Sequence, residues 1–389
     1  MGFFDPNALI ARARQQTGLE DFGEEPFQDG LEVICAALES EAGLNEAGRA
    51  SAHESLLGTL SERLRIEDCL RRHPEILQQT LLPQVFVAGL PRTGTTALSQ
   101  FLSEDPAGRS VRRWELFKPT PPPDRAIGHD PRVDATRATF AARDAAMPQF
   151  KTMLPVEAED PSEHAPLLAF TLRNFHFPSM YNTPTYKDWI FQANMSPAYG
   201  YMAKVLKILQ WKTPGRFWNL KNPPDVASFE AIRSAFPNCV FVWTHRDPAN
   251  SMPSLASLIT LLRSQTTDHV DKPALMRSLL AFQSQCIERG LAARERLGES
   301  HFLDVSQSEL GRDTIGVIRN LYERIGLPFT PDYEAHLRRR TEDRPRGQHG
   351  KHEYDIAEFG LTPDEIRAAF RPYLERFERQ LGGAARARD

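Results

Sequence analysis

The feature that most constrains the fold is an apolar run that passes through a glycine-containing turn into a helical pattern. Val85–Gly89 reads as a buried strand, and the turn Leu90–Gly94 follows it. Leu98, Phe101 and Leu102 then recur at helical spacing. A strand, a loop and a helix in this order are typical of α/β proteins.

The same order of strand and helix recurs further along the chain. The predicted strands are Phe217–Leu220, Cys239–Thr244 and His301–Val305, and the helices after them are Asp225–Phe236, Ser254–Leu262 and Ile315–Ile325. Ser110–Trp114 is predicted as a fifth strand. The repetition predicts a P-loop-like three-layer α/β/α fold with a central parallel sheet of about five strands. Ligands of such sheets bind at the carboxyl ends of the strands.

Two helical regions flank this predicted sheet. Apolar residues at helical intervals between Phe27 and Leu82 predict a helical N-terminal extension over residues 1–80. Residues 81–389 then form the α/β domain, with a helical insertion on the substrate side at about 118–215. The aromatic residues of the insertion could line an apolar acceptor pocket, although core packing is the commoner role for such residues.

Charge and composition exclude several classes of protein. With 47 Lys and Arg against 51 Asp and Glu, the chain has a net charge of −4 and no overall basic field for nucleic acid. Its longest apolar runs are too short to span a bilayer, and its beginning does not resemble a secretory signal. Four scattered cysteines fit no metal-ligand spacing, so we expect reduced thiols in a cytoplasmic protein without a metal.

Gly89–Thr96, hereafter the phosphate loop, fits the pattern GxxxxG followed by two hydroxyl residues. Backbone N–H groups and a helix dipole at such a junction attract an anion. A nucleoside triphosphate site would need Lys where this chain has Thr95, whereas the loop's cation is Arg92. One phosphate-like group beside a second anionic group therefore fits better than a triphosphate with Mg²⁺. The predicted binding residues are Pro91, Arg92, Thr93, Gly94, Thr95 and Thr96.

A second anion site is predicted at Arg246, at the end of another strand. Ser254 follows eight residues later, on a helix that can return its hydroxyl to the same side. Alternatively, Arg246 pairs with Asp247 on the surface. Asp247 before Pro248 also has the pattern of a helix N-cap followed by a first-turn proline, and this role is compatible with an anion site.

Several separated segments, in order, resemble sulfotransferases that use 3′-phosphoadenosine 5′-phosphosulfate (PAPS), and in particular a bacterial branch of that superfamily. The resemblance extends from about Leu81 to Phe377. The matching segments are Pro91–Thr96, Trp114–Glu115, Trp218–Pro223, His245–Pro248 with Ser254, Gly347–Tyr354 and Glu358–Leu361. One departure is Arg92, where the superfamily often has lysine; the change keeps the charge and offers a bidentate fork.

The resemblance implies a cofactor and a reaction. The phosphate loop would hold the 5′-phosphosulfate of PAPS, and Arg246 with Ser254 the 3′-phosphate. Arg92 and Lys221 would neutralise the charge that builds on the transferring group, without a metal. The acceptor would be a hydroxyl or amine of a small molecule, lipid or glycan, and a homo-oligomer is left open. A basic, glycine-containing tail would close on the phosphates through Arg346, Gly350, Lys351 and His352.

A general base is needed to take the acceptor's proton. The bacterial branch commonly has histidine where this chain has Asp225. Our candidates are therefore Asp225 and two residues of an acidic stretch, Glu157 and Glu163. A structural alternative applies to each region: Asp160 would cap a helix that begins at Pro161, with Glu163 as its capping-box partner, and Asp225 would be the N-cap of its own helix.

Two other functions remain open from the sequence. A P-loop kinase or nucleotide hydrolase with a degenerate lysine position is disfavoured by Thr95 and by the second anion site at Arg246. A non-catalytic nucleotide-binding module would keep the fold without turnover, and the missing histidine at Asp225 is consistent with it.

Overall fold

Five parallel strands form the central sheet, in the order β2-β3-β1-β4-β5. The computed structural model describes residues 2–148, 156–343 and 356–382. The strands are β1 Gln84–Gly89, β2 Gly108–Ser110, β3 Phe217–Lys221, β4 Val240–His245 and β5 Phe302–Ser306. The predicted α/β class and five-stranded parallel sheet are confirmed.

Helices pack on both faces of the sheet. Successive side chains of a strand point to opposite faces, and here Val85 and Val87 join one hydrophobic cluster whereas Phe86 and Ala88 join the other. In chain order the helices are α1 Pro6–Thr17, α2 Gln28–Ser40, α3 Glu46–Arg72, α4 Thr95–Ser103, α5 Arg113–Leu116, α6 Pro131–Ala146, α7 Ala165–Leu168, α8 His176–Met180, α9 Pro184–Gln192, α10 Ser196–Gln210, α11 Phe229–Ala235, α12 Pro248–Arg263, α13 Lys272–Leu297, α14 Gln307–Arg312, α15 Thr314–Arg324, α16 Pro331–Asp343, α17 Pro363–Ala369 and α18 Arg371–Arg376.

Short 3₁₀ turns link several of these helices and strands. They are Pro74–Ile76, Arg125–Ile127, Ala169–Thr171, Pro223–Ser228, Glu299–His301 and Ile356–Phe359. The turn Pro223–Ser228 follows β3 after a single residue, Asn222, and contains the buried Asp225. The helix predicted over Asp225–Phe236 is confirmed only from Phe229, where α11 begins; the residues before it belong to the 3₁₀ turn.

The N-terminal helices belong to the larger of the two hydrophobic clusters. Leu9 of α1, Leu31 of α2 and Leu60 of α3 are fully buried in it together with Phe86 of the sheet. Helix α1 lies within residues 1–80 but precedes Phe27, where the apolar spacing used for the prediction begins; Asp5 and Pro6 provide its N-cap and first-turn proline. The division into an extension over 1–80 and a domain over 81–389 stays a prediction.

The strand predicted at Ser110–Trp114 is displaced in the structure, where only Ser110 of that range belongs to β2, Gly108–Ser110. Strand β2 ends at Ser110, and Trp114 lies in the short helix α5. Glu115 is the reason, because its carboxylate accepts the backbone N–H of Arg112 at 2.8 Å and also pairs with the buried Arg109. These contacts turn the chain out of the sheet after Val111.

The predicted helix at Pro161 is wrong as well. Ser162 donates its backbone N–H to Val111 O at 2.9 Å, and His164 donates its own to Lys221 O at 3.1 Å. The segment is therefore extended along the sheet, and α7 begins only at Ala165. Asp160 caps no helix there; its Oδ2 atom accepts the backbone N–H of Glu157 at 2.7 Å.

Candidate active site

The phosphate loop has a backbone that only particular residues can adopt. Gly89 and Gly94 have positive φ angles of 144° and 99°, and a Cβ atom on Gly89 would lie 2.6 Å from Thr244 O. Arg92 also has a positive φ, 69°, a strained conformation for a non-glycine residue. Helix α4 begins directly after Gly94 without a side-chain cap, so its first N–H groups point toward the loop. This geometry suits an anion.

The phosphate loop is tied to the end of β4 through a threonine pair. Thr93 Oγ1 lies 2.6 Å from Thr244 Oγ1 and also donates to Leu90 O at 2.6 Å. Both threonines are fully buried. The loop therefore keeps a fixed position beside the segment that begins with His245.

The two predicted anion sites come together in space. Arg92 Nε donates to Ser254 Oγ at 3.1 Å, and Arg246 Nη1 donates to Arg92 O at 3.0 Å. Asp247 caps α12 by accepting the N–H of Ala249 at 2.9 Å, which confirms the predicted cap. Arg246 is not paired with Asp247 on the surface, because Asp247 binds Arg367 instead. One ligand with two anionic groups can span Arg92 and Arg246.

Lys221 places a second kind of cation at the same loop. It is the last residue of β3, and its Nζ atom lies 2.9 Å from Glu163 Oε1 and 3.4 Å from Thr96 Oγ1 in the first turn of α4. Lys221 is buried, whereas the Glu163 side chain remains 45 % exposed. An acceptor molecule can therefore reach the carboxylate from solvent.

Several cations determine the charge state of Glu163. Burial has the largest single effect and raises the pKa of its carboxyl. The charge and hydrogen bond of Lys221, together with smaller contributions from His176 and Arg113, outweigh it, so the pKa lies below its ordinary value. Burial in turn lowers the pKa of His176 against the opposing charge of Glu163. Sequence reasoning missed His176 and Arg113, which have no characteristic spacing to the site.

Asp225 is fully buried and caps no helix, so the predicted N-cap is wrong. Its Oδ1 atom accepts hydrogen bonds from Tyr199 OH at 2.7 Å and from Asn222 Nδ2 at 2.6 Å. Its Oδ2 atom lies 2.9 Å from Nε2 of His164, which is equally buried. Because His164 follows Glu163 in the chain, the Asp225 network anchors the segment that carries this carboxylate.

The remaining predicted residues are distributed unevenly. Glu157 is exposed, Thr95 is buried at the start of α4, and Pro91 is half-buried. Arg346, Gly350, Lys351 and His352 lie outside the described residues.

Most aromatic residues of the insertion belong to the hydrophobic core, which was the commoner of their two predicted roles. The buried ones are Phe175, Phe177, Tyr181, Tyr186, Tyr199 and Tyr201, and Trp189 and Phe191 pack against the same core.

The described residues contain neither a candidate metal cluster nor a candidate membrane span. No group of three or more His, Cys, Asp or Glu side chains in this part of the chain could hold a metal ion. Among the helices of the same residues, none combines the length and the apolar composition that crossing a membrane requires.

The sequence profile of the sulfotransferase family matches residues 83–331, which include the phosphate loop, Glu163, Lys221, Arg246 and Ser254. The chain belongs to this family. The sulfotransferase is similar to the crystal structure of sulfotransferase STF9 from Mycobacterium avium, with a TM-score of 0.88 and 30% identity over 96% of both chains. It is also similar to sulfotransferase STF1 from Mycobacterium tuberculosis H37Rv, with a TM-score of 0.82 and 27% identity over 94% of this chain and 98% of that one.

No curated protein sequence matches the sulfotransferase at a significant level. The family and the two structures show an enzyme that transfers a sulfonate group from a donor to an acceptor. None of these matches favours the P-loop kinase alternative.

Proposed function

We propose that the enzyme transfers the sulfuryl group of PAPS to a hydroxyl or amine of a small-molecule, lipid or glycan acceptor. The observation that carries the proposal is the contact between Arg92, Arg246 and Ser254, which joins two anion sites at the carboxyl ends of β1 and β4. PAPS has two such anionic groups, a 5′-phosphosulfate and a 3′-phosphate. The phosphate loop would bind the first, and Arg246 with Ser254 the second.

Lys221 and Arg92 would act on the transferring group. Sulfuryl transfer requires an in-line nucleophile and cations that stabilise the charge developing on the bridging oxygen and on the sulfuryl oxygens. Lys221 Nζ lies within 3.4 Å of Thr96 Oγ1, at the helix terminus where the phosphosulfate would bind. A sulfuryl group carries less charge than a phosphoryl group, so these two side chains can serve without a metal.

Glu163 is our preferred general base. Lys221 contacts its carboxylate, and this contact lowers the pKa of Glu163. Donor binding would draw the ammonium toward the phosphosulfate, and the pKa of Glu163 would then rise because burial acts against the charged form. A carboxylate released in this way is better suited to take the acceptor's proton. Glu157 is exposed, and no contact links it to Lys221 among the described residues.

We expect adenosine 3′,5′-bisphosphate to bind at least about tenfold more tightly than 5′-AMP, because Arg246 and Ser254 recognise the additional phosphate with charge-assisted hydrogen bonds. Titration calorimetry measures both affinities. Arg246→Ala should reduce the ratio to near one, whereas Arg296→Ala, which removes a surface ion pair with Glu230, should leave it unchanged. Equal affinities of the unmodified enzyme for the two nucleotides would exclude the proposed donor site.

Asp225→Asn should reduce stability more than activity. The amide would remove the charge that accepts hydrogen bonds from Tyr199 and Asn222, and weakening hydrogen bonds to a buried charged group costs about 1–3 kcal/mol. We therefore expect a lower free energy of unfolding in urea and a single-turnover rate reduced by no more than about tenfold, which corresponds to about 1.4 kcal/mol. A loss of several orders of magnitude in a variant that remains folded would instead identify Asp225 as the base.

The acceptor is best approached with a panel of compounds. Transfer of labelled sulfate from PAPS to phenols, sugar alcohols, glycolipids and amines would identify the class of acceptor, and an acceptor from this panel then serves the rate measurements.

We also propose a cytoplasmic location, supported by four buried cysteines that remain unpaired.

A further inference from the structure

The two C-terminal helices contact the short segment that carries the second anion site. Helix α17 contributes Arg367, whose Nε and Nη2 atoms donate to Asp247 Oδ2 at 3.1 and 3.0 Å. Helix α18 contributes Tyr373, which is fully buried. Their partners Asp247 and His245 stand on either side of Arg246 in the chain.

The hydroxyl of Tyr373 links two of these residues. The backbone amide of Arg246 hydrogen-bonds to the hydroxyl oxygen, and the hydroxyl lies 3.1 Å from His245 Nδ1. The other ring nitrogen, Nε2, lies 2.9 Å from Oδ1 of the Asp304 carboxylate, which can only accept, so the ring proton lies on Nε2. His245 Nδ1 is then the acceptor of the Tyr373 hydroxyl proton.

Further contacts fix the His245 ring. Asp304 is held by Arg294, with distances of 2.7 Å from Nη1 to Oδ1 and 2.8 Å from Nη2 to Oδ2. The ring of Phe377 lies 4.0 Å from the imidazole, centroid to centroid. Asp304 and Phe377 therefore fix the tautomer and the orientation of the imidazole. Its Nδ1 atom in turn fixes the direction in which the Tyr373 hydroxyl donates.

The Arg246 side chain extends to the phosphate loop instead, where Nη1 donates to Arg92 O. Its guanidinium starts from a backbone whose amide is held by Tyr373 and whose two neighbours are held by α17 and α18. Hydrogen bonds to a phosphate weaken steeply when distance and angle depart from their optimum. The affinity of Arg246 for a phosphate would thus depend on the contacts that α17 and α18 make with its backbone and with its two neighbours in the chain.

We propose that Tyr373 and Arg367 are positioning residues for Arg246 and set the preference of the site for a 3′-phosphorylated nucleotide. The proposal rests on the proposed function, in which Arg246 recognises the 3′-phosphate. The contacts of these two residues with His245, Arg246 and Asp247 are the route by which both would act on the Arg246 side chain.

Tyr373→Phe tests this directly, because it removes one hydroxyl and keeps the ring. Calorimetry with adenosine 3′,5′-bisphosphate and with 5′-AMP gives the ratio of the two affinities. We expect this ratio to fall at least about fivefold, the effect of about 1 kcal/mol, while the affinity for 5′-AMP changes by no more than about twofold. A purely structural role would lower the unfolding midpoint and leave the ratio unchanged.

Tyr186→Phe is the matched control. Its hydroxyl is fully buried, accepts from Asn174 N at 3.2 Å and donates to Leu172 O at 2.8 Å, in the insertion. It should lose stability but keep the ratio of the two affinities.

Arg367→Ala should lower this ratio, and Arg367→Lys should restore part of it. Arg367 is half-exposed, so we expect both variants to fold.

The outcomes separate this inference from the proposed function. If the unmodified enzyme prefers the bisphosphate and neither Tyr373→Phe nor Arg367→Ala changes that preference, the positioning role is refuted and the donor site stands. If the unmodified enzyme shows no preference, the proposed donor site fails and the positioning role fails with it.

Discussion

Lys221→Met is expected to lower turnover by about 10²–10³-fold, the usual effect of removing one group that stabilises developing charge in a transition state. Methionine keeps an unbranched apolar side chain, one atom shorter than lysine, but removes the ammonium that lies 2.9 Å from Glu163 Oε1 and near Thr96. Single-turnover transfer of labelled sulfate from PAPS at saturation is the measurement.

The affinity for adenosine 3′,5′-bisphosphate separates catalysis from binding in this variant. The desulfated product lacks the group on which Lys221 would act, so its dissociation constant should change by no more than about threefold. Lys212→Met is the control, because Lys212 is a half-exposed lysine paired with Asp124 at 3.0 Å. A normal rate in Lys221→Met, or equal losses in rate and product affinity, would show that Lys221 is not a transition-state cation.

The phosphate loop and the cap at Asp247 could be predicted because their signals are local. The loop predicted from Gly89 and Gly94 lies between β1 and α4 as expected, and Asp247 before Pro248 forms the expected N-cap. Both features depend on backbone geometry within a few residues. Such patterns are therefore readable without knowledge of the tertiary structure.

The acidic stretch was predicted wrongly because its conformation is set by distant partners. Asp160, Pro161 and Glu163 form a plausible capping box, yet the backbone of this segment bonds to Lys221 of β3 and to Val111, the residue after β2. Sheet pairing satisfies those N–H groups better than a helix end could. Local propensity lost to tertiary hydrogen bonding.

The Asp225 network shows the same limit for side chains. Asp225 and His164 are distant in sequence and meet only because the turn after β3 lies beneath the extended segment before α7. No spacing in the sequence indicates this pair. The pattern after β3 suggested a cap, whereas the structure uses the carboxylate to satisfy buried donors from Tyr199 and Asn222.

Glu163→Gln is expected to lower the single-turnover rate by about 10²–10⁴-fold, the contribution of a positioned general base. The amide is nearly isosteric and can still accept a hydrogen bond from Lys221, so the fold and the affinity for adenosine 3′,5′-bisphosphate should persist. Glu157→Gln is the matched control from the same acidic stretch; its side chain is exposed, and its rate should stay within about twofold of normal.

The pH dependence of kcat/KM provides an independent test of the base. Lys221 keeps the pKa of Glu163 below its ordinary value of 4.5. The kcat/KM of the unmodified enzyme should therefore fall with increasing acidity only below pH 4.5. Without the ammonium, burial acts against the charged form, so Lys221→Met should move this acid limb to higher pH. Glu163→Gln should lose the limb altogether. If its rate is near normal and its pH profile keeps the limb, the proton is taken by another group, and Asp225→Asn then becomes the deciding variant.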